Sequence, residues 1–455
     1  MFKASLSLDQ ISASFKSLER LAHQEGMRVA REGFTSQIKQ VEQQIHAQRP
    51  VGFEVVGWRP RRIQTLMGEV EIRRRCYRDG DGSYRWLFDE ALGLERSRRV
   101  SPGLEQVMLT LACEHTYRGT ADLIEQLLGV RIEAQTAHSE VQRAGARIGR
   151  QEAKRVRSVL DGEMELKPGR LEAQMLLVEA DGVVVQLQRE GRQKSAEIKH
   201  GIAYDGWERQ GGRYVLKNKR RYAMIGDPEQ FWDTFGMRVH QTWDLSSVQR
   251  VVIGGDGANW VKQGLEHFCA SEFQLDEYHT RKRISQALQN KQWARAVGDC
   301  VVSGEWQRAI QVVDAIAQAE PRYKPECSDL SRWIRDNHVE LQDYRLRPRP
   351  LPQGARGTGA IESNVDKNVA NRFKKRGRGW TIRGASNLLV VMNASQRVEN
   401  EPQDMRSANV TGLFEGVDTR LARPHATMPA LERGNNSRLT RVLREISTAG
   451  RNRTY

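Results

Sequence analysis

The chain predicts a mixed α/β fold, and three observations carry that expectation. Two short apolar runs, Leu171 to Asp181 and Arg250 to Asp256, each end on Asp-Gly and read as strands buried on both faces. A segment of helical spacing lies between them, from Asp227-Pro228 to about Val239, with Phe231, Phe235 and Val239 on one side. Long stretches on either side, such as Leu8 to Gln48 and Lys291 to Arg347, also repeat their apolar residues at helical spacing.

Composition narrows the partners. A chain of 455 residues can form two or three domains with a sizeable core. Lys plus Arg number 72 against 57 for Asp plus Glu, a net charge of +15, so its surface field attracts anions and nucleic acid is the expected partner. The basic residues cluster at Arg143 to Arg157, Lys217 to Arg221, Arg281 to Arg283 and Lys374 to Arg383, with an arginine-rich tail after Arg420. Clustering of this kind suits a phosphate track. The five cysteines form no C-x-x-C pair, which excludes a zinc finger or disulfide scaffold and fits a reducing compartment. With no signal-like N-terminus and no apolar run near the roughly 20 residues that span a bilayer, a cytoplasmic, nucleoid-associated protein without membrane contact is expected.

The elements follow in order. Residues 1–49 form an N-terminal helical segment, either one helix or a hairpin broken near Gly33, that packs on the next domain or dimerises. Residues 50–98 form a small β-hairpin region, with strands within Arg62 to Arg78 joined near Gly68; Asp79-Gly-Asp-Gly lacks the closing glutamate of a calcium loop and reads as a turn. Ser101-Pro102 starts a region over 99–158 whose helices span Leu104 to Cys113, Thr120 to Leu128 and Glu133 to about Ile148. The last two outline a helix-turn-helix, whose second member would present Gln135, Thr136, His138, Ser139, Gln142 and Arg143 to base edges or phosphates. Helical pairs are common, so the basic run downstream carries much of this reading.

Over 171–398 the expected order is β-β-β-α-β-α-β-α. The strands fall at Leu171 to Asp181, Val183 to Gln188, Ala196 to Trp207, Arg250 to Asp256 and Glu272 to Leu275. This order matches an RNase H-like arrangement, three antiparallel strands followed by parallel ones joined by crossovers. An all-α insertion occupies about 291–347, and a proline-rich linker at Arg345 to Pro352 leads through Gly354 to Gly359 into a helix bearing Glu362. Residues 399–455 read as a basic flexible tail.

In such a sheet the ends of the first and fourth strands are neighbours, so Asp181 and Asp256 should face each other. With Glu362 they would make an oxygen-rich cage for two magnesium or manganese ions. Asp-Gly is also an ordinary turn dipeptide, and Asp366, one helical turn from Glu362, could take its place. Lys374, Lys375 and Arg376 downstream suit a DNA backbone, or a merely solvated helix face. Asp276 could be a simple N-cap, with His279 one turn in bonding a carbonyl, or both could support the site.

Glu179-Ala-Asp-Gly, Gly254-Gly-Asp-Gly-Ala-Asn-Trp, Leu275-Asp-Glu-Tyr-His and the stretch Gly359-Ala-Ile-Glu-Ser-Asn-Val-Asp-Lys to Trp380-Thr resemble the motifs of bacterial insertion-sequence transposases of the ISLre family, related to the Mutator-like DDE enzymes. The resemblance runs from the N-terminal helix to about Gln396. It implies that Asp181, Asp256 and Glu362 form a DDE triad holding two magnesium ions, with Asp276 and His279 matching a D-x-x-H element. It also implies hydrolysis at transposon ends to expose a 3′ hydroxyl, attack of that hydroxyl on target DNA, and a homo-oligomer on the DNA. Alternatives are an RNase H-like nuclease without strand transfer and a non-catalytic, transposase-derived DNA-binding protein.

Overall fold

The computed structural model describes residues 15–375 and 379–396. The expected tail at 399–455, the start of the N-terminal segment and Arg376 lie outside the described residues. Two compact units divide the chain, one ending at Ala144 and the other starting at Gly145. The division therefore falls inside the region expected as one domain over 99–158.

In the first unit, helix α1 (Phe15–Ala47) is continuous through Gly33. It lays Phe34, Ile38, Val41 and Ile45 on Ile63, Val70 and Ile72 of a hairpin, with Phe88 closing the cluster. That hairpin, β1 (Glu54–Thr65) and β2 (Gly68–Arg78), is longer than expected; β3 (Tyr84–Arg85) pairs with β2 and is followed by α2 (Leu87–Ala91). Pro60 is tolerated within β1 because β1 is an edge strand, where a missing N–H costs the ladder little. Asp79 accepts backbone N–H bonds from Asp81 and Ser83, the closed turn expected there. Helix α3 (Pro102–Glu114) begins with Ser101 accepting the Leu104 N–H at 3.2 Å. Helix α4 (Tyr117–Leu128) ends at Gly129 in the left-handed region, φ 66°. Leu104, Met108, Ile124, Val130 and Ala137 bury the three helices together. The third, α5 (Ala134–Leu160), runs well past the expected end near Ile148.

The second unit holds a five-stranded mixed sheet. Its strands are β4 (Met175–Gln186), β5 (Ser195–Tyr204), β8 (Arg220–Ile225), β9 (Arg250–Gly255) and β10 (Ser271–Leu275), in the order β10-β9-β4-β5-β8. A separate hairpin, β6 (Trp207–Gln210) and β7 (Arg213–Leu216), stands between β5 and β8. β5 is antiparallel to β4 and to β8, whereas β9 and β10 run parallel to β4. Two expectations are corrected. Asp181-Gly182 does not turn the chain: β4 continues through it, so Val183 to Gln188 is no separate second strand. The segment expected third is β5, the second, and the third is β8, which the sequence showed only as part of a basic cluster. Gly182 stays in the ladder because Lys199 of β5 pairs with it, and a β carbon there would meet the Glu197 carboxylate at 2.3 Å.

The crossover helix α6 (Pro228–Thr242) is capped by Asp227 and buries Phe231, Trp232, Phe235 and Val239 on the sheet face formed by Leu176, Val178 and Ala180. α7 (Asn259–Lys262) precedes β10, and α8 (Glu277–Leu288) follows it. The span expected as an all-α insertion consists of α9 (Lys291–Val302), α10 (Trp306–Ala319), α11 (Lys324–Asp336) and α12 (His338–Leu341). α13 (Ala360–Val365) then runs through a π-helical turn, Asp366–Ala370, into α14 (Asn371–Phe373). The last helix, α15 (Ile382–Ala394), covers the β8 edge: the Asn393 amide accepts the Ala223 N–H and donates to its carbonyl. None of the described helices is long and apolar enough to cross a membrane.

Gly201 lies on β5 under α6, and a β carbon there would stand 2.7 Å from the Phe235 ring. Gly201→Ala is expected to destabilise the fold by about 1–3 kcal/mol through overpacking, as measured by urea unfolding. An unchanged midpoint would show that α6 can give way.

Candidate active site

Register brings the acidic residues level. Glu179 of β4 is opposite Gly254 of β9, and Leu275 of β10 is opposite Gly255. Extending these ladders puts Asp181, Asp256 and Asp276 in one row across three neighbouring parallel strands. β4 pairs with β9 only as far as Glu179, then runs on against β5, with Trp380 bonding its last residue, Gln186. Asp181 is thus a mid-strand residue, left half-open by the departure of its neighbour and not by an end of its own.

Each side chain is held differently. Asp181 is half-buried and accepts its neighbour Gly182 N–H at 2.7 Å. Asp256, exposed just past β9, accepts the Ala258 N–H at 2.9 Å. Asp276 is buried and caps α8 by accepting the His279 N–H at 2.9 Å. The His279 ring spans the gap, with Nδ1 3.4 Å from Asp276 Oδ1 and Nε2 3.6 Å from Glu362 Oε1. Of the two acids on the α13 stretch, Glu362 faces His279, whereas Asp366 pairs with Lys375 at 3.2 Å. Burial pushes the Asp181 carboxyl up to about 6, and the like charges of Asp256 and Glu362 add to that while His279 opposes it. Asp181, Asp256, Glu362 and His279 therefore share one local field.

Among the described residues no three His, Cys, Asp or Glu side chains are arranged to hold one ion. The donor chemistry is nonetheless that of a hard divalent cation: three carboxylates, with the mutual repulsion registered at Asp181 that such a charge relieves.

Glu179 stands in the Glu-Ala-Asp-Gly motif with no role evident from the sequence. Its carboxylate is 1 % exposed and accepts the Tyr204 hydroxyl, the Gly359 N–H at 2.9 Å and the Ile361 N–H at 3.1 Å. It thus binds the strand of Asp181 to the first turn of the helix that carries Glu362. A carboxylate two residues before Asp181, in an otherwise apolar strand, was the available signal. His200 was also missed. It pairs with Asp181 across the β4/β5 ladder, is buried, and is held neutral by burial, its imidazole pushed down to about 3.

The expected DNA contacts fall in both units. In the first, Gln135 and Arg143 are exposed on α5 and Thr136 and Ser139 half-buried; Gln135 reaches Ser139 Oγ at 3.4 Å, and Arg143 pairs with Glu140 at 3.1 Å. In the second, Lys374 and Lys375 are exposed after α14.

The Asp181 shift makes a linkage prediction. A folded-state value above the 3.8 of a free carboxyl means that the folded chain binds the proton more tightly, so stability falls as pH rises from about 4 to about 6 and the penalty stays in place above that. Asp181→Asn removes this penalty. In EDTA it is expected to melt higher than wild type at pH 7.5, by less than a ceiling of about 3 kcal/mol because solvent screens the site, and to match wild type below pH 4. A pH-independent difference would show that Asp181 feels no such field.

Residues 9–404 match the uncharacterised protein family UPF0236. A UPF0236 protein of Caldanaerobacter subterraneus subsp. tengcongensis is 26 % identical over 329 residues, 71 % of this chain and 65 % of that protein. The chain thus spans just under two thirds of the length of that relative. A second protein of the same organism is 25 % identical over 329 residues, again 71 % of this chain and 65 % of the relative. The UPF0236 protein in the vanSb 3′ region of Streptococcus gallolyticus is 27 % identical over 410 residues, 86 % of this chain and 85 % of the relative. With nearly all of its described length inside the match, the chain belongs to the UPF0236 family.

Proposed function

We propose that this protein is a DDE transposase of the ISLre type, related to the Mutator-like enzymes, which cuts DNA at the ends of an insertion sequence and joins them to target DNA. The observation that carries the reading is geometric: the β4/β9 register brings Asp181 and Asp256 to one sheet rim, and His279, at the start of α8 beside them, stands 3.6 Å from Glu362 on α13. The antiparallel-then-parallel strand order of an RNase H-like core supports it. So does the name of one relative, which joins eleven locus designations of a single genome, as a sequence copied around a chromosome would.

Asp181, Asp256 and Glu362, drawn closer together than in the conformation described, would hold two magnesium or manganese ions, whose chemistry is to stabilise the attacking and leaving oxygens of an in-line displacement at phosphorus. The chain supplies the rest. His279, between Asp276 and Glu362, is placed to position the glutamate. Lys374 and Lys375 are cations for the DNA backbone, and the exposed start of α5 is the reading face of a helix-turn-helix formed with α4. DNA ends and target are the expected partners, with a homo-oligomer on the DNA in the cytoplasm.

The test is incubation of the protein with DNA carrying the terminal sequences of its own element and magnesium. Wild type is expected to nick at the element end, and Asp256→Asn to lose more than about a hundredfold, since even residues outside the ligand set cost 10–100-fold at metal sites. Equal nicking by both would remove Asp256 from the chemistry.

A further inference from the structure

An open cavity of about 500 Å³ lies in the second unit and is lined by Tyr214, Arg345, Gly354, Ala355, Arg356 and Gly357. Its volume is in the range of small-ligand sites. Among the described residues no acidic side chain lines it. Tyr214, on β7, is 56 % exposed, and the Arg356 guanidinium stands 4.0 Å from its ring centroid. Arg356 has no carboxylate partner among the described residues. Arg345 is fixed by Asp343, which takes part of its charge, yet its side chain remains 41 % exposed. In this loop Gly354 is in the left-handed region, φ 80°, and Gly354, Arg356 and Gly357 are exposed residues. A flat ring, two guanidinium groups and an open glycine loop make a site for a planar base with an attached phosphate.

The loop is anchored to the catalytic element. The Tyr344 hydroxyl donates to the Arg356 carbonyl, and Ala355 packs on the cluster that contains Ile361, the neighbour of Glu362. The chain from Arg356 to Glu362 can span at most about 22 Å, roughly six base steps of a DNA strand.

We infer that this cavity binds one unpaired nucleotide of a DNA strand, its base stacked on Tyr214 and its phosphate held by Arg356 and Arg345. The inference rests on the DNA-cleaving reading and adds to it a subsite for single-stranded substrate. A duplex keeps its bases stacked inside the helix and cannot offer one to Tyr214, so the site selects against fully paired DNA.

A short oligodeoxynucleotide containing 5-bromouracil is the probe, single-stranded or annealed to its complement, with the full-length protein. Irradiated with the single strand, wild type is expected to crosslink at Tyr214, mapped by peptide mass. Tyr214→Ala is expected to lose that crosslink and to bind the single strand at least about fivefold more weakly, the effect of one stacking aromatic, with duplex binding unchanged. Tyr214→Phe, which keeps the ring, should bind as wild type does, and Arg356→Ala should weaken binding and lessen its salt dependence. Tyr214 and Arg356 are exposed, so unchanged melting curves check folding. A crosslink elsewhere, or an equal loss for single strand and duplex, would overturn the proposal. Nicking by Asp256→Asn would sink the catalytic reading instead, because that variant leaves the cavity intact.

Discussion

The buried carboxylate of Glu179 is the constraint on which the rest of this site depends. A carboxylate withdrawn from water is costly unless its oxygens are bonded, and here burial raises the proton affinity of the Glu179 carboxyl, with the nearby Asp276 charge adding to it. Three donors offset that cost: the Tyr204 hydroxyl from β5 and two backbone N–H groups at the start of α13. Bonds to a charged group contribute about 1.5–3 kcal/mol each, so losing the acceptor would also strand buried donors. The space it fills explains a neighbour as well. A β carbon on Gly254 would press on Glu179 Cγ at 3.2 Å, so the strand leading to Asp256 keeps glycine beside it. One side chain thereby sets the approach of the elements that carry Asp181, Asp256 and Glu362.

Much of this was legible in the sequence. The rim positions of Asp256 and Asp276 followed from short apolar runs meeting helix starts, because a buried parallel strand has few other endings. The cap at Ser101 and the crossover helix from Asp227 were readable for the same local reason. The errors came where tertiary pairing overrode local signals. Asp181-Gly182 has turn chemistry, yet the ladder to Lys199 keeps it extended. β8 begins Arg220-Arg221-Tyr222, which reads as a solvated cationic patch; in the fold Arg220 bonds Thr242 and Arg221 bonds Asn368, so the strand carries its charges into the structure. α5 outlasts its expected end because its apolar stripe continues to Val156, Val159 and Leu160, which bury against Leu166 and Met237.

The same lesson applies to the net charge. Several arginines that raise it are structural. Arg61 and Arg74 converge on Asp89, Arg98 joins Glu105 and Glu140, and Arg250 and Arg347 flank Glu272. Being buried and paired, these cations present little field to a polyanion. A case for DNA therefore rests on where exposed cations stand, at Lys374, Lys375 and Arg356, more than on the surplus of fifteen.

The two carboxylates of β4 make the division of labour explicit. Glu179 and Asp181 share a face of the strand, two residues apart, and burial raises the proton affinity of both. Glu179 is surrounded by hydrogen-bond donors and so serves the fold; its charge is already answered. Asp181 has one local N–H bond and faces Asp256 and Glu362, so its charge is opposed. A fold selected for stability alone would replace such a group by a neutral one. Its presence beside two like charges, at an edge opened by the departure of β9, is what a site completed by a cation and an anionic group would require.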